Sequence, residues 1–378
     1  MRRAFFCVLL SFFTCEIASA GSVTARISGN SLYVYGDQGN NSVAIDSPQP
    51  GQIRVVGFTS TNGETTSVNG QVNGSVTLSG WTGGIFTYMY AGSDTVTLSN
   101  AVVRGAAHFD LGDGNDELMI GSLPATSEVV NLVFPQATQG YVDLQTSLYV
   151  LGSNGDDYVS LVNATVRGYA TFDLGNGADE LRMGDSDFSG TMVEFLSNCV
   201  VFPGSGSDTA SFSATVMRRD FIFDDSTSTL ELSLVGVSID QNAFIYGTSS
   251  VDSMVLDNVF VGRLLQLFSE GDSDFVQLST VRCGTLEIFA GDGSDSVRLD
   301  AVTADTLRVF LDAGADTLQI NTGMIKRIYG YGGANDDVFN IQTTQATELN
   351  LYGDGGTDSL VQAGNTIGTT RLYSIENK

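Results

Sequence analysis

The stretch TLEIFAGDGSDSVRLDAVTAD (residues 285–305) decides the fold. Leu286 and Ile288 alternate with Glu287 and Phe289, the period-two signature of a short strand. AGDGSD follows as a tight glycine turn. Val297 and Leu299 then alternate with Ser296 and Arg298 in a second strand, and DAVTAD closes the unit.

Outward from this stretch the unit recurs. Asp274, Asp295, Asp316, Asp337 and Asp358 are each 21 residues apart, and Asp252 lies 22 before the first of them. Asp208, Asp179, Asp157, Asp116 and Asp94 continue the ladder at looser steps. A repeat of this length built from short strands is one supersecondary unit stacked on itself. Two and four residues after each aspartate the side chain is nearly always apolar, as at Val276 and Leu278, Val297 and Leu299, or Leu318 and Ile320. These residues form an inward column, and period two gives the aspartate the same parity, so it too points inward.

A second ladder, of aromatics, lies six residues before the aspartates: Phe202, Phe223, Tyr246, Phe268, Phe289, Phe310, Tyr331 and Tyr352. By that spacing Phe223 marks a unit whose ladder position is Thr229, and Phe134 one whose ladder position is Gly140. With these two, thirteen turns are expected, a rod about 60 Å long at the strand spacing. Parity places the rings outside. Helical signals are nearly absent. The expected fold is all-β, a single-domain parallel β-solenoid with about 21–22 residues per turn.

Residues 1–20 read as a secretory signal. Arg2 and Arg3 precede an apolar stretch from Ala4 to Thr14, and Ala18-Ser19-Ala20 offers a small-residue cleavage site. The exported protein is therefore expected at the cell surface or outside it. Residues 21–84, with the turn-like YGDQGNNSVAI (35–45), are expected to cap the rod, 85–360 to form the solenoid, and 361–378 to close it. A short insertion is expected near Gly184–Asn198, where the ladder step widens. No second long apolar run follows, so no membrane span is expected.

The formal charge of −26 repels nucleic acid and attracts divalent cations. Cys199 and Cys283 fall several turns apart, beyond the Cα separation of about 7 Å that a disulfide tolerates, and are expected as buried thiols. His108 is the only histidine, and in AAHFDLG it reads as a half-buried strand residue. Triad and zinc chemistry therefore lack their side chains. Every glycine turn leads into a strand, so no phosphate-cradling loop–helix junction is present.

Ala290-Gly291-Asp292-Gly293-Ser294-Asp295-Ser296-Val297-Arg298 resembles the nonapeptide GGxGxDx(apolar)x of the repeat-in-toxin family, which binds Ca²⁺ in a parallel β-roll. Gly112–Leu118, Gly175–Leu181 and Gly204–Ala210 fit its G-x-G-x-D core, and the runs before Asp316 and Asp358 keep part of it. The resemblance implies calcium at Asp116, Asp179, Asp208, Asp274, Asp295, Asp316 and Asp358 with neighbouring loop carbonyls. The family's roll has two such turns per coil of about eighteen residues, whereas here there is one per 21 or 22. LRVFLDAGADTLQINTGMIKR (307–327) also resembles secreted bacterial solenoid repeat proteins, a likeness that covers the chain after residue 20 and implies fold and export.

The expectation is a secreted, acidic, calcium-binding β-solenoid with a structural or binding role at the cell surface and no enzymatic activity. Its partners would be calcium ions, a surface glycan or neighbouring solenoid chains. Two alternatives stand beside it. One is a metal-free rod whose aspartates cap turn N–H groups. The other is a polysaccharide lyase or hydrolase of the parallel β-helix type.

Overall fold

The computed structural model describes residues 21–60, 62–121, 140–184, 192–225 and 229–377. The signal-like residues 1–20, Phe134 and residues 185–191 of the expected insertion lie outside them. Among the described residues every regular element is a strand, and none is a helix long and apolar enough to cross a membrane. The chain winds as a parallel solenoid, so one turn contributes a strand to each of up to three sheets.

The first sheet gathers the strand before each glycine turn, such as Leu264–Phe268, Thr285–Phe289 and Thr303–Phe310. The second gathers the strand after it, such as Phe275–Ser279, Ser296–Asp300 and Thr317–Asn321. It has fifteen strands, and three of these (Ser42–Asp46, Gln52–Gly57 and Ser75–Ser79) precede residue 84, which leaves twelve for the repeats. The third is narrow, seven short strands from Ala101–Val103 to Phe260–Val261. Val276, Leu278, Val297, Leu299, Leu318 and Ile320 are all buried in one column, as their parity requires.

Among the described residues the turns number twelve rather than thirteen. Glu117–Gly121 pairs directly with Tyr158–Val162, and the Asp116 N–H donates to Asp157 Oδ1 at 2.8 Å, 41 residues on. No rung stands between them, so Gly140 is not a ladder position. It leads instead into the third-sheet strand Val142–Leu144. The unit marked by Phe223 is a turn, but Asp208 pairs with Leu230, and Glu231 with Ser253. Its ladder position is thus the buried Leu230, one residue after Thr229.

A one-residue shortening reshapes the third face. In the 22-residue turns a separate corner divides the third-sheet strand from the next first-sheet strand, as between Ser238–Ile239 and Ala243–Tyr246. In the 21-residue turns the corner loses a residue, and Thr303–Phe310, Met324–Ala334 and Gln345–Gly355 run through both faces as single strands.

The N-terminal end departs from the parallel pattern. Gly21–Ser28 pairs antiparallel with Ser31–Tyr35, and Gln52–Gly57 lies antiparallel between Ser42–Asp46 and Ser75–Ser79. Trp81 is buried beneath these hairpins, its indole N–H donating to Gly84 O at 3.0 Å. At the other end Thr366–Tyr373 adds a strand to the first sheet.

Candidate functional site

The glycine turn carries the repeat's chemistry, and its backbone explains the motif. For every ladder aspartate except Asp252, the residue four before it and the residue two before it both adopt positive φ, as at Gly291 (99°) and Gly293 (146°). At the first position Tyr90, Ser153, Glu270, Asp312 and Asp354 tolerate φ between 63° and 85°. At the second, glycine predominates, with Asp272 and Asn335 the non-glycine cases at φ 68° and 80°, because a Cβ on Gly293 or Gly314 would sit on a carbonyl oxygen of the preceding turn. The G-x-G spacing therefore follows from two left-handed residues stacked at van der Waals distance.

This turn aims the aspartate carboxyl along the rod axis. The Asp274 N–H donates to Asp295 Oδ1 at 2.8 Å, Asp295 N–H to Asp316 Oδ1 at 2.7 Å, Asp316 N–H to Asp337 Oδ1 at 2.9 Å, and Asp337 N–H to Asp358 Oδ1 at 2.9 Å. The same bond joins Asp94, Asp116, Asp157, Asp179 and Asp208 in turn. All seven sequence-chosen aspartates (Asp116, Asp179, Asp208, Asp274, Asp295, Asp316 and Asp358) thus lie in one column. Leu230 interrupts it, its N–H donating to Asp252 Oδ1 at 2.9 Å.

Two rungs escaped the sequence reading. Asn41 N–H donates to Asp94 Oδ1 at 2.6 Å, and the apolar Val43 and Ile45 two and four residues on carry the ladder's own signal. Glu376 Oε2 accepts from the Asp358 N–H at 2.9 Å, a longer side chain doing an aspartate's work from an incomplete turn.

The ladder aspartates are between 0 and 3 % exposed. At every one except Asp252, Oδ2 is buried with no hydrogen-bond partner. Asp252 Oδ2 accepts the Thr248 N–H at 2.6 Å. Burial pushes the carboxyls up, against the pull of the N–H bond. Asp116 and Asp274 rise to about 8, Asp94, Asp157, Asp179 and Asp316 to about 7, and Asp295 and Asp337 to about 6. Asp208, Asp252 and Asp358 shift the same way. Among the described residues, no three His, Cys, Asp or Glu side chains gather as a metal ion would need.

The rings lie on the opposite side of the first sheet from the core. Tyr246, Phe268, Phe289, Phe310, Tyr331, Tyr352 and Tyr373 stack with centroids 4.6–4.9 Å apart and planes within 9°. Their faces cover one another and their edges remain half-exposed. The column differs from the expected one at both ends. Phe223 pairs with Ile245 and is fully buried, while Asp224 pairs with Tyr246, so Phe202 stands apart from the stack. Tyr373 extends it beyond Tyr352.

His108 is a half-buried strand residue between Tyr88, 5.6 Å away, and Tyr149, 6.4 Å away. Cys199 and Cys283 are free and buried, and burial pushes the Cys283 thiol up to about 12. No protein-family model matches the chain, and no curated protein matches it.

Proposed function

We propose that this chain is exported and serves as an acidic, non-catalytic rod with a structural or binding role at the cell surface. The observation that carries this reading is the division of its repeats. The carboxylates turn inward and are held by the backbone of the adjoining turn, whereas seven aromatic side chains turn outward in an unbroken strip. A long half-exposed aromatic strip offers a docking surface, and the occupant it suits is a surface glycan or a neighbouring chain. In a pull-down on cell-wall polysaccharide, the protein should be retained, and Phe289→Ser/Phe310→Ser/Tyr331→Ser should pass through while remaining folded. Release of oligosaccharides from that polysaccharide would overturn the non-catalytic reading and support a lyase or hydrolase.

Calcium at the ladder is the second reading, favoured by the bare Oδ2 row. The donors are of the right hardness, since Ca²⁺ takes six to eight oxygens. The fit is partial, because one oxygen of each carboxylate already accepts an N–H and both are enclosed. Binding to the folded state alone would raise the melting temperature with ligand concentration. A higher melting temperature in millimolar Ca²⁺ than in chelator is the expected result, and an unchanged one favours the metal-free rod.

A further inference from the structure

The chain has 43 acidic and 17 basic residues, yet one corner carries a local excess of cations. Where the third face meets the first, a groove of about 710 Å³ runs along the rod past Phe260, Arg282, Met324 and Lys326. A second hollow of about 540 Å³ adjoins it, lined by Arg263, Arg308 and Arg327, and the two share Gly284 and Asp305. The groove has a local cause. Where the corner loses a residue, Ala304, Thr306 and Leu307 are buried and only Asp305 stands outward between them. Gly284, one turn before Asp305, adds no side chain to the wall.

These cations are only partly neutralised. Arg308 pairs with Glu287, and Lys326 with Asp305. Among the described residues no ion pair joins Arg263, Arg282 or Arg327 to a carboxylate. Arg327 donates to Thr306 Oγ1 at 3.1 Å and lies in the field of Asp305 and Glu348. Unpaired guanidinium groups at a concave corner seek planar anions from outside the chain.

The complementary surface is on the same rod. Each first-sheet strand of this section begins at the cationic corner and ends at a glycine turn, whose exposed residues include Glu270, Asp272, Asp292, Asp312, Asp336 and Asp354. Groove and acidic edge therefore flank one face, at the same heights along the rod and with the same rise per turn. We propose that a second copy of this chain seats its acidic turn edge in this groove, the two rods lying parallel and level. The proposal rests on the surface-rod reading and names its neighbouring chain. The contact joins two different surfaces, so it does not close, and it propagates rods side by side into a layer. All copies then present the aromatic strip on one side of that layer. Repulsion between the rods' remaining charges is screened beyond about 8 Å at physiological salt.

The test is sedimentation of the purified protein over a concentration series at physiological ionic strength. The wild type should grow in mass with concentration. Arg263→Glu/Arg327→Glu loses the groove and keeps the acidic edge, and Asp272→Arg/Asp312→Arg does the reverse. Each should be at least tenfold weaker in self-association. Mixed in equal amounts they should form dimers that grow no further, since each supplies the one surface the other lacks. All four side chains are exposed, and Arg263→Gln/Arg327→Gln, with partial weakening expected, serves if the reversal impairs folding. A wild type that stays monomeric, or association that both variants retain, overturns the contact. So does a monomeric wild type whose groove binds oligogalacturonate, a result that would assign it to an acidic glycan. Polysaccharide retention by a monomer would leave the surface-binding reading intact, and association without retention would leave this contact intact.

Discussion

At the residue scale the protein rests on a backbone conformation that few side chains accept. Gly314 adopts φ 153°, and a Cβ there would overlap the Gly293 carbonyl oxygen of the previous turn. Gly271, in a similar loop, has no atom nearer than 3.8 Å to an added Cβ. Gly314→Ala should therefore lose about 1–3 kcal/mol, the range for backbone forced into a sparsely populated region. Gly271→Ala should stay within about 0.5 kcal/mol of wild type. Urea denaturation of the two variants gives the comparison, and equal losses would show that close stacking does not select the glycine. The motif was legible in sequence because the clash repeats in every turn. That one oxygen of each aspartate accepts an N–H from the adjoining turn was not, because spacing does not reveal which of its two oxygens is used.

At the element scale, stacked strands place like residues above one another, and the ring column is the result. Phe289→Ser/Phe310→Ser/Tyr331→Ser removes four of the six contacts between Tyr246 and Tyr373. At about 0.5–1.5 kcal/mol per aromatic pair the rod should be measurably less stable. Thermal unfolding of the triple variant checks this, and an unchanged melting temperature would mean the rings do not support the turns. The column's parity was readable wherever one face of the strand is polar, as in TLEIF (285–289). It failed at FIFDD (221–225), where Phe221 and Phe223 alternate with Ile222. With apolar residues at both parities, period two does not say which set faces the core, and packing against Ile245 turned Phe223 inward.

At the scale of the whole molecule, the buried ladder inverts the usual response to acid. Its carboxyls are raised from 3.8 to about 6–8 in the fold. Between pH 4 and pH 8 the folded chain thus holds more protons than the unfolded one, and linkage makes its stability fall as pH rises. The contribution is fully present below the unfolded carboxylate range and is lost as pH passes through the folded values. The melting temperature should be higher at pH 5 than at pH 8.5. A maximum at pH 8 or above would mean that cations or water, rather than protons, neutralise the column.

The amino-acid sequence by itself determined the solenoid, its step of 21 or 22 residues, the inward aspartates and the outward rings. Each of these recurs turn after turn, and a repeated pattern resolves ambiguities that a single strand leaves open. Only the tertiary structure decided the number of turns, the ladder position at Leu230 and the cationic groove. Each is a single event: an insertion between Gly121 and Gly140, a phenylalanine at the inward position before Asp224 where other turns carry the ring one residue later, and a corner shortened by one residue. A unique change has no second copy in the sequence to expose it, and its meaning appears only when neighbouring turns settle into register.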